Sequence, residues 1–411
     1  MVYETETPTS RKVYDFETLV NRKGKGSSKW NQMIQWNPDV SDGVIPLTVA
    51  DMEFKTAPEI TKGLQLFLED AVLGYSVPTT GYYEAVIDWQ KRRHGFAVER
   101  EWIINSPGIV TALFAAVRTY TQPGDGVIIM PPVYYPFYAA IENAGRKLVK
   151  NPLINHGDAY AIDFKGLGEL CKKQKNKLII FSSPHNPVGR VWTREELGEL
   201  AEIVVKNDMI IISDEIHNDL IMPGYEHTVF QTLSDEIAEK TITCTAPSKT
   251  FNLAGLCNSN VIIKNETLRA KMVQALTDTA SGMVGIMGLE GCRIAYEEGE
   301  AWLDHLLPVI DRNQHLVRDY FKNNFPEITA PLVEGTYLQW VNFNKLGMTP
   351  QELEKFMHLE AEFFTDEGYI FGEEGAGYER INLAAPTTVI EGSLNRLGAA
   401  LDRFYQQKLE K

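Results

Sequence analysis

The chain has 411 residues, 44% of them hydrophobic and 23% charged, with a formal net charge of -15. That length exceeds one ordinary core and fits two or three domains, and the composition excludes a disordered chain or a long coiled coil. The acidic balance argues against a nucleic-acid partner, because phosphate binding needs clustered Lys and Arg, and Arg22-Lys23-Gly24-Lys25 reads as a short solvated loop.

In chain order, Met1-Val2-Tyr3-Glu4-Thr5-Glu6 lacks a basic-then-apolar signal pattern, and no apolar run approaches the ~18 residues of a membrane span. A cytoplasmic protein with no membrane partner is expected. The first fifty residues lack strong periodicity and contain Asn37-Pro38 and Ser41-Asp42-Gly43, so residues 1–55 are expected to pack along a small domain. From about 100 to 265, short apolar runs alternate with helix-period segments, the pattern of a mostly parallel sheet in an α/β domain taken as 56–299. The expected strands are 126–130, 147–153, 177–182, 209–213, 241–244 and 260–264. Thr193 and Glu196 form a capping box, after which Leu197, Leu200, Ala201, Val204 and Val205 fall on one helical face. Residues 300–411 read as a smaller α+β domain: a long helix, a strand over 337–343, a helix from about Pro350 and a last helix from about Val389. Cys171, Cys244, Cys257 and Cys292 are scattered without a C-x-x-C pair, which indicates reduced thiols and no metal site built on them.

The chemistry gathers at strand ends, where ligands bind in open α/β sheets. Ser106-Pro107-Gly108-Ile109-Val110 opens a helix over 111–120, whose free N–H groups suit a phosphate. Asn186 in Ser183-Pro184-His185-Asn186-Pro187, Asp214 in Asp214-Glu215-Ile216-His217 and Lys249 in Ser248-Lys249-Thr250 each follow an expected strand. An ε-amino group can form an imine with an aldehyde, and a carboxylate facing a pyridine nitrogen keeps it protonated, so the Lys249 and Asp214 pairing suggests bound pyridoxal 5'-phosphate. Each residue also has a plainer reading. Lys249 alone is a solvated loop charge, Asp214 a helix cap, Asn186 a turn residue before proline, and Gly108 a helix-entry glycine. Ser248 then caps a turn. His217 is as well a core histidine as a group beside a ring, Tyr134 sits in an aromatic cluster with Tyr135, Phe137 and Tyr138, and Arg380 fits a surface ion pair.

Taken together, several segments resemble the fold-type-I pyridoxal-phosphate enzymes of the aminotransferase class I/II superfamily. They are most similar to the MalY/PatB-type branch of cystathionine β-lyases, or C–S lyases. The resemblance rests on Pro46-Leu47-Thr48-Val49-Ala50-Asp51-Met52-Glu53-Phe54, Gly74-Tyr75, Asn186 through Arg190, Asp214 through Asp219, Ser248 through Asn252 and Arg380-Ile381-Asn382. It implies an aspartate-aminotransferase-like fold with a mixed, mostly parallel sheet. Lys249 would attach the cofactor and act as general base, Asp214 would face the pyridine nitrogen, Asn186 the phenolic oxygen, and Tyr134 the ring. The phosphate would be held by the amides of Ile109 and Val110 after Gly108, by the Ser248 hydroxyl, and by Tyr75 from the second subunit of a homodimer. Arg380 would clamp the carboxylate of a sulfur amino acid. The implied reaction is release of thiol, pyruvate and ammonia from cystathionine or another S-substituted cysteine. Transamination is the alternative, and a regulatory protein-binding role the weaker one. Three positions depart from relatives: His217 replaces the tyrosine of many aminotransferases, Cys257 stands where aspartate aminotransferases keep a phosphate-binding arginine, and Thr48 stands where the lyase branch has tryptophan.

Overall fold

The structure is a computed structural model and describes residues 14–410; the leading segment Met1–Glu6 lies outside the described residues. Its strands, in chain order, are β1 Ile103–Ser106, β2 Gly126–Ile129, β3 Lys147–Lys150, β4 Ile154–Asn155, β5 Tyr160–Ala161, β6 Asn176–Ser182, β7 Ile210–Asp214, β8 Thr241–Thr245, β9 Ser259–Ile262, β10 Leu338–Asn342, β11 Asp366–Glu367 and β12 Tyr378–Asn382. The main sheet runs β1-β9-β8-β7-β6-β2-β3. β3, β2, β6, β7 and β8 are parallel, and β9 is antiparallel to both β8 and β1. This is the mixed, mostly parallel sheet that the sequence implies.

All six expected strands of the sheet form, with ends displaced by up to three residues. The run 147–153 stops at Lys150, shortly before Pro152, which has no N–H to give a ladder. β1 was not foreseen: its four residues carry only two apolar side chains, too few for a periodic signal. Near-continuous Ile and Val runs in β2, β6 and β7 are buried because both faces are covered. On one face lie the helices Ile109–Tyr120, Pro136–Glu142 and Glu266–Asp278; on the other lie Phe164–Cys171 and Arg194–Lys206. Each fully buried Ile or Leu here contributes about 1.5–3 kcal/mol. The Thr193 box forms in both directions: Thr193 Oγ1 accepts from the Glu196 amide at 3.2 Å, and the Thr193 amide donates to Glu196 Oε2 at 2.8 Å. Such a cap is worth about 1 kcal/mol.

Another core joins the helices Thr80–His94, Ile286–Glu298, Glu300–Asn324 and Thr387–Leu409 to the small sheet β10-β12-β11. The helix expected near Pro350 is short, Pro350–Lys355, and passes into a π turn, Phe356–Glu360. The early chain docks here. Trp30, Met33, Val44 and Ile45 pack on Phe364, and the Leu47 amide donates to the Phe364 carbonyl at 2.8 Å.

Candidate active site

β6, β7 and β8 run parallel, and β1, antiparallel to β9, points the same way as β8. Their carboxyl ends therefore open on one side. A cavity of about 160 Å³ lies there, lined by Gly108, Ile109, Val110, Tyr134, Asn186, Asp214, His217, Ser248 and Lys249 among others. Nine of the eleven residues singled out in the sequence thus share one chamber. Arg380 adjoins it through Asn186, and Tyr75 stands apart, 99% exposed. A cleft of about 940 Å³ adjoins the chamber, sharing Ala254 and passing Asp51, Met52 and Asn252.

Asp214 is the last residue of β7 and is 5% exposed. Burial raises its carboxyl to about 7, partly offset by the Ile216 amide and the nearby Lys249. The Ile216 amide donates to Oδ1 at 3.3 Å, and among the described residues no cation forms an ion pair with Asp214. A carboxylate so placed lacks the partner that would offset its desolvation. A protonated pyridine nitrogen is a partner of the right charge, so the site fits pyridoxal phosphate on this count. Lys249 sits on the single turn Pro247–Thr250 after β8. Burial, then the positive charge of Arg380, lowers its amine to about 8. Its Nζ donates to the Ala50 carbonyl at 2.6 Å, and the Tyr337 hydroxyl donates to the same oxygen at 2.9 Å.

Arg380 is 2% exposed, so the surface-ion-pair reading is excluded. It lies on β12 opposite Asp366 of β11; its guanidinium ion-pairs with Asp366 and donates to Asn186 Oδ1 at 2.8 Å. Its buried Nε has no hydrogen-bond partner among the described residues, leaving donor capacity for an incoming carboxylate. His217 is 3% exposed with an unpartnered Nδ1. Burial, then the charges of Lys249 and Arg380, pushes its pKa well down, so it stands in the chamber as neutral imidazole. Tyr134 is half-buried at the chamber wall, and burial keeps its phenol protonated. At the far end Gly108 has φ 107°, a conformation that side chains disfavour, and it delivers the first N–H groups of the helix Ile109–Tyr120. Cys257 is exposed on the same rim, so no guanidinium stands there. Thr48 is fully buried away from the chamber lining.

Sequence reasoning missed the residues that hold the Lys249 side of the chamber. Val49 has φ 46°, rare for a β-branched residue. The segment around it is pinned by Asn382 Nδ2, which donates to the Val49 carbonyl at 2.7 Å and the Asp51 carbonyl at 2.6 Å. Asn252 adds a reciprocal pair with the Met52 backbone at 2.9 and 3.0 Å. Asn252 and Asn382 were visible as motif members; Asp366 and Tyr337 carried no local signal.

A chamber of this kind, with a buried amine, a buried acid and a helix N-terminus at the end of an α/β sheet, defines a cofactor-dependent enzyme of the aminotransferase fold. Residues 42–388 match the family described as aminotransferase class I and II, and the chain belongs to it. Among individual proteins, it is 37% identical to cystathionine beta-lyase PatB of Bacillus subtilis (strain 168), over 94% of this chain and all of that one. Cystalysin from Treponema denticola, whose crystal structure contains a pyridoxal 5'-phosphate cofactor, superposes with a TM-score of 0.94. It is 52% identical, with 95% of this chain and 100% of that chain covered. The PLP-bound C-S lyase from Staphylococcus hominis is 32% identical with a TM-score of 0.87, covering 95% and 98% of the two chains.

Proposed function

We infer that this chain is a pyridoxal-phosphate-dependent carbon–sulfur β-lyase, acting on cystathionine or a related S-substituted cysteine. The observation that carries this reading is the meeting of Lys249 and Asp214 in one cavity, the acid without an ion-pair partner among the described residues and the amine lowered to about 8. Bound pyridoxal phosphate supplies an electron-withdrawing ring that stabilises negative charge at the substrate's Cα. This chain's residues do the rest. Asp214 would keep the ring nitrogen protonated: opposite charges ~3 Å apart interact by roughly 5 kcal/mol at an effective dielectric of ~20, before desolvation. Asn186 and Tyr134 would orient the ring, and Ile109, Val110 and Ser248 would hold the phosphate.

Arg380 would receive the substrate carboxylate with a planar fork that Lys cannot copy. Lys249 Nζ, with a pKa of about 8, would take the Cα proton while a thiolate leaves Cβ. Tyr75 would complete the phosphate site of a second copy. Support for a homodimer comes from the exposed apolar stretch Val72, Leu73, Tyr75 and Val77, with Met283 beside Val77. A reducing, cytoplasmic setting suits the four free cysteines, and no helix among the described residues is long and apolar enough to cross a membrane. The test is purified holoenzyme given L-cystathionine with no 2-oxo acid. Sustained release of pyruvate and free thiol is expected; turnover only after adding an oxo acid would overturn the lyase reading in favour of transamination.

A further inference from the structure

Behind Arg380 lies a second cluster of functional side chains. β11 and β12 pair with Asp366 opposite Arg380 and Glu367 opposite Glu379. Side chains alternate along a strand, so Asp366 and Arg380 share one face while Glu367 and Glu379 share the other. Those two glutamates are 6% and 2% exposed, and like charges directly opposite each other destabilise a sheet. Among the described residues, no lysine or arginine forms an ion pair with either.

What faces them is His358, brought inward on the π turn Phe356–Glu360, a distortion that recurs at functional sites. Its Nε2 lies 2.9 Å from Glu367 Oε1, yet that buried oxygen has no partner with hydrogen-bond geometry. One ligand atom each from Glu354, His358 and Glu367 lie within 4.8 Å of one another. The surroundings hold His358, Glu354 and the neighbouring Glu379. Trp36 stacks on the His358 ring at 4.3 Å, the Tyr369 hydroxyl donates to Glu354 Oε2 at 3.0 Å, and the Thr365 hydroxyl donates to Glu379 Oε2 at 2.6 Å.

We propose that Glu354, His358 and Glu367 bind one divalent transition-metal ion of the zinc type. One imidazole and two carboxylates form a donor set that zinc accepts, and outer hydrogen bonds such as that of Tyr369 orient ligands at metal sites. The ion balances the charges of Glu354 and Glu367 and ties β11 to the π turn Phe356–Glu360, on the face opposite the Asp366–Arg380 pair. Its role is structural, since Lys249 and Asp214 line another cavity.

The test uses purified holoenzyme, stripped with a chelator, desalted and titrated with Zn²⁺ alone. One zinc per chain by elemental analysis is expected, with a melting temperature raised by about 3 °C at a hundredfold excess over Kd. Glu367→Gln should lose both effects while keeping the cofactor's visible absorbance. Glu354→Gln, at the less buried rim, serves the same purpose if the first variant does not fold. Failure of the wild type to retain zinc or to gain stability overturns the site and leaves shared protons between the glutamates. Equal binding by the variants also overturns it, by placing the zinc elsewhere.

Discussion

The Arg380 guanidinium donates to Asn186 Oδ1 at 2.8 Å, so the residue assigned to the substrate carboxylate leans directly on one assigned to the cofactor ring. On the proposed assignments this bond would couple substrate grip to cofactor orientation. Arg380→Lys loses the fork toward Asn186, Asp366 and substrate together. A charged hydrogen bond contributes about 1.5–3 kcal/mol, so KM is expected to rise by about 10- to 100-fold. Asn186→Ala should weaken both cofactor retention and substrate binding, measured by dialysis and by steady-state kinetics on the same preparations.

Asp214→Asn keeps the shape of the acid and removes its charge. The resulting loss in kcat is expected on the order of 10³-fold, most of a ~5 kcal/mol Coulomb term after desolvation is subtracted. Single-turnover measurements of thiol release check it, and a loss below tenfold would remove Asp214 from its assigned role.

Asp214 also predicts a pH dependence in the cofactor-free protein. Its pKa is raised from 3.8 to about 7, so its contribution to stability is fully present below the unfolded value and is lost as pH rises through 7. The melting temperature of the cofactor-free chain is therefore expected to carry a downward component between about pH 4 and 7. Asp214→Asn should flatten that component, and bound cofactor should suppress it by giving the carboxylate a cationic partner. Thermal melts across that range, on all three forms, provide the comparison.

Asn382→Ala removes two donations that hold the Val49 to Asp51 backbone in its unusual course. Each carbonyl keeps one other donor, the Asp51 amide at 2.8 Å and Lys29 Nζ at 3.0 Å, so the cost is that of the two lost hydrogen bonds, about 0.5–1.5 kcal/mol each, and the variant should melt earlier. The Ala50 carbonyl would lose its fixed position against Lys249, and kcat should fall along with stability.

Much of this chamber is legible in the sequence, because Asn186, Asp214 and Lys249 each follow a short apolar run and strand ends converge in parallel sheets. The Ile- and Val-rich strands and the Thr193 cap were readable for the same local reasons. Asp366 was not, since its pairing with Arg380, fourteen positions further on, depends on the register of β11 against β12. Tyr337 and the Ala50 carbonyl meet only when the early chain folds back over the small sheet. The four-residue β1 and the π turn at Phe356 escaped because each is set by packing and carries no periodic pattern.

The attachment of pyridoxal phosphate to Lys249 is tested most directly by reducing the purified holoenzyme with borohydride and mapping its peptides. The label is expected on the peptide carrying Lys249, at one per chain and resistant to denaturation. Label on a different lysine, or cofactor released intact after reduction, would contradict the account.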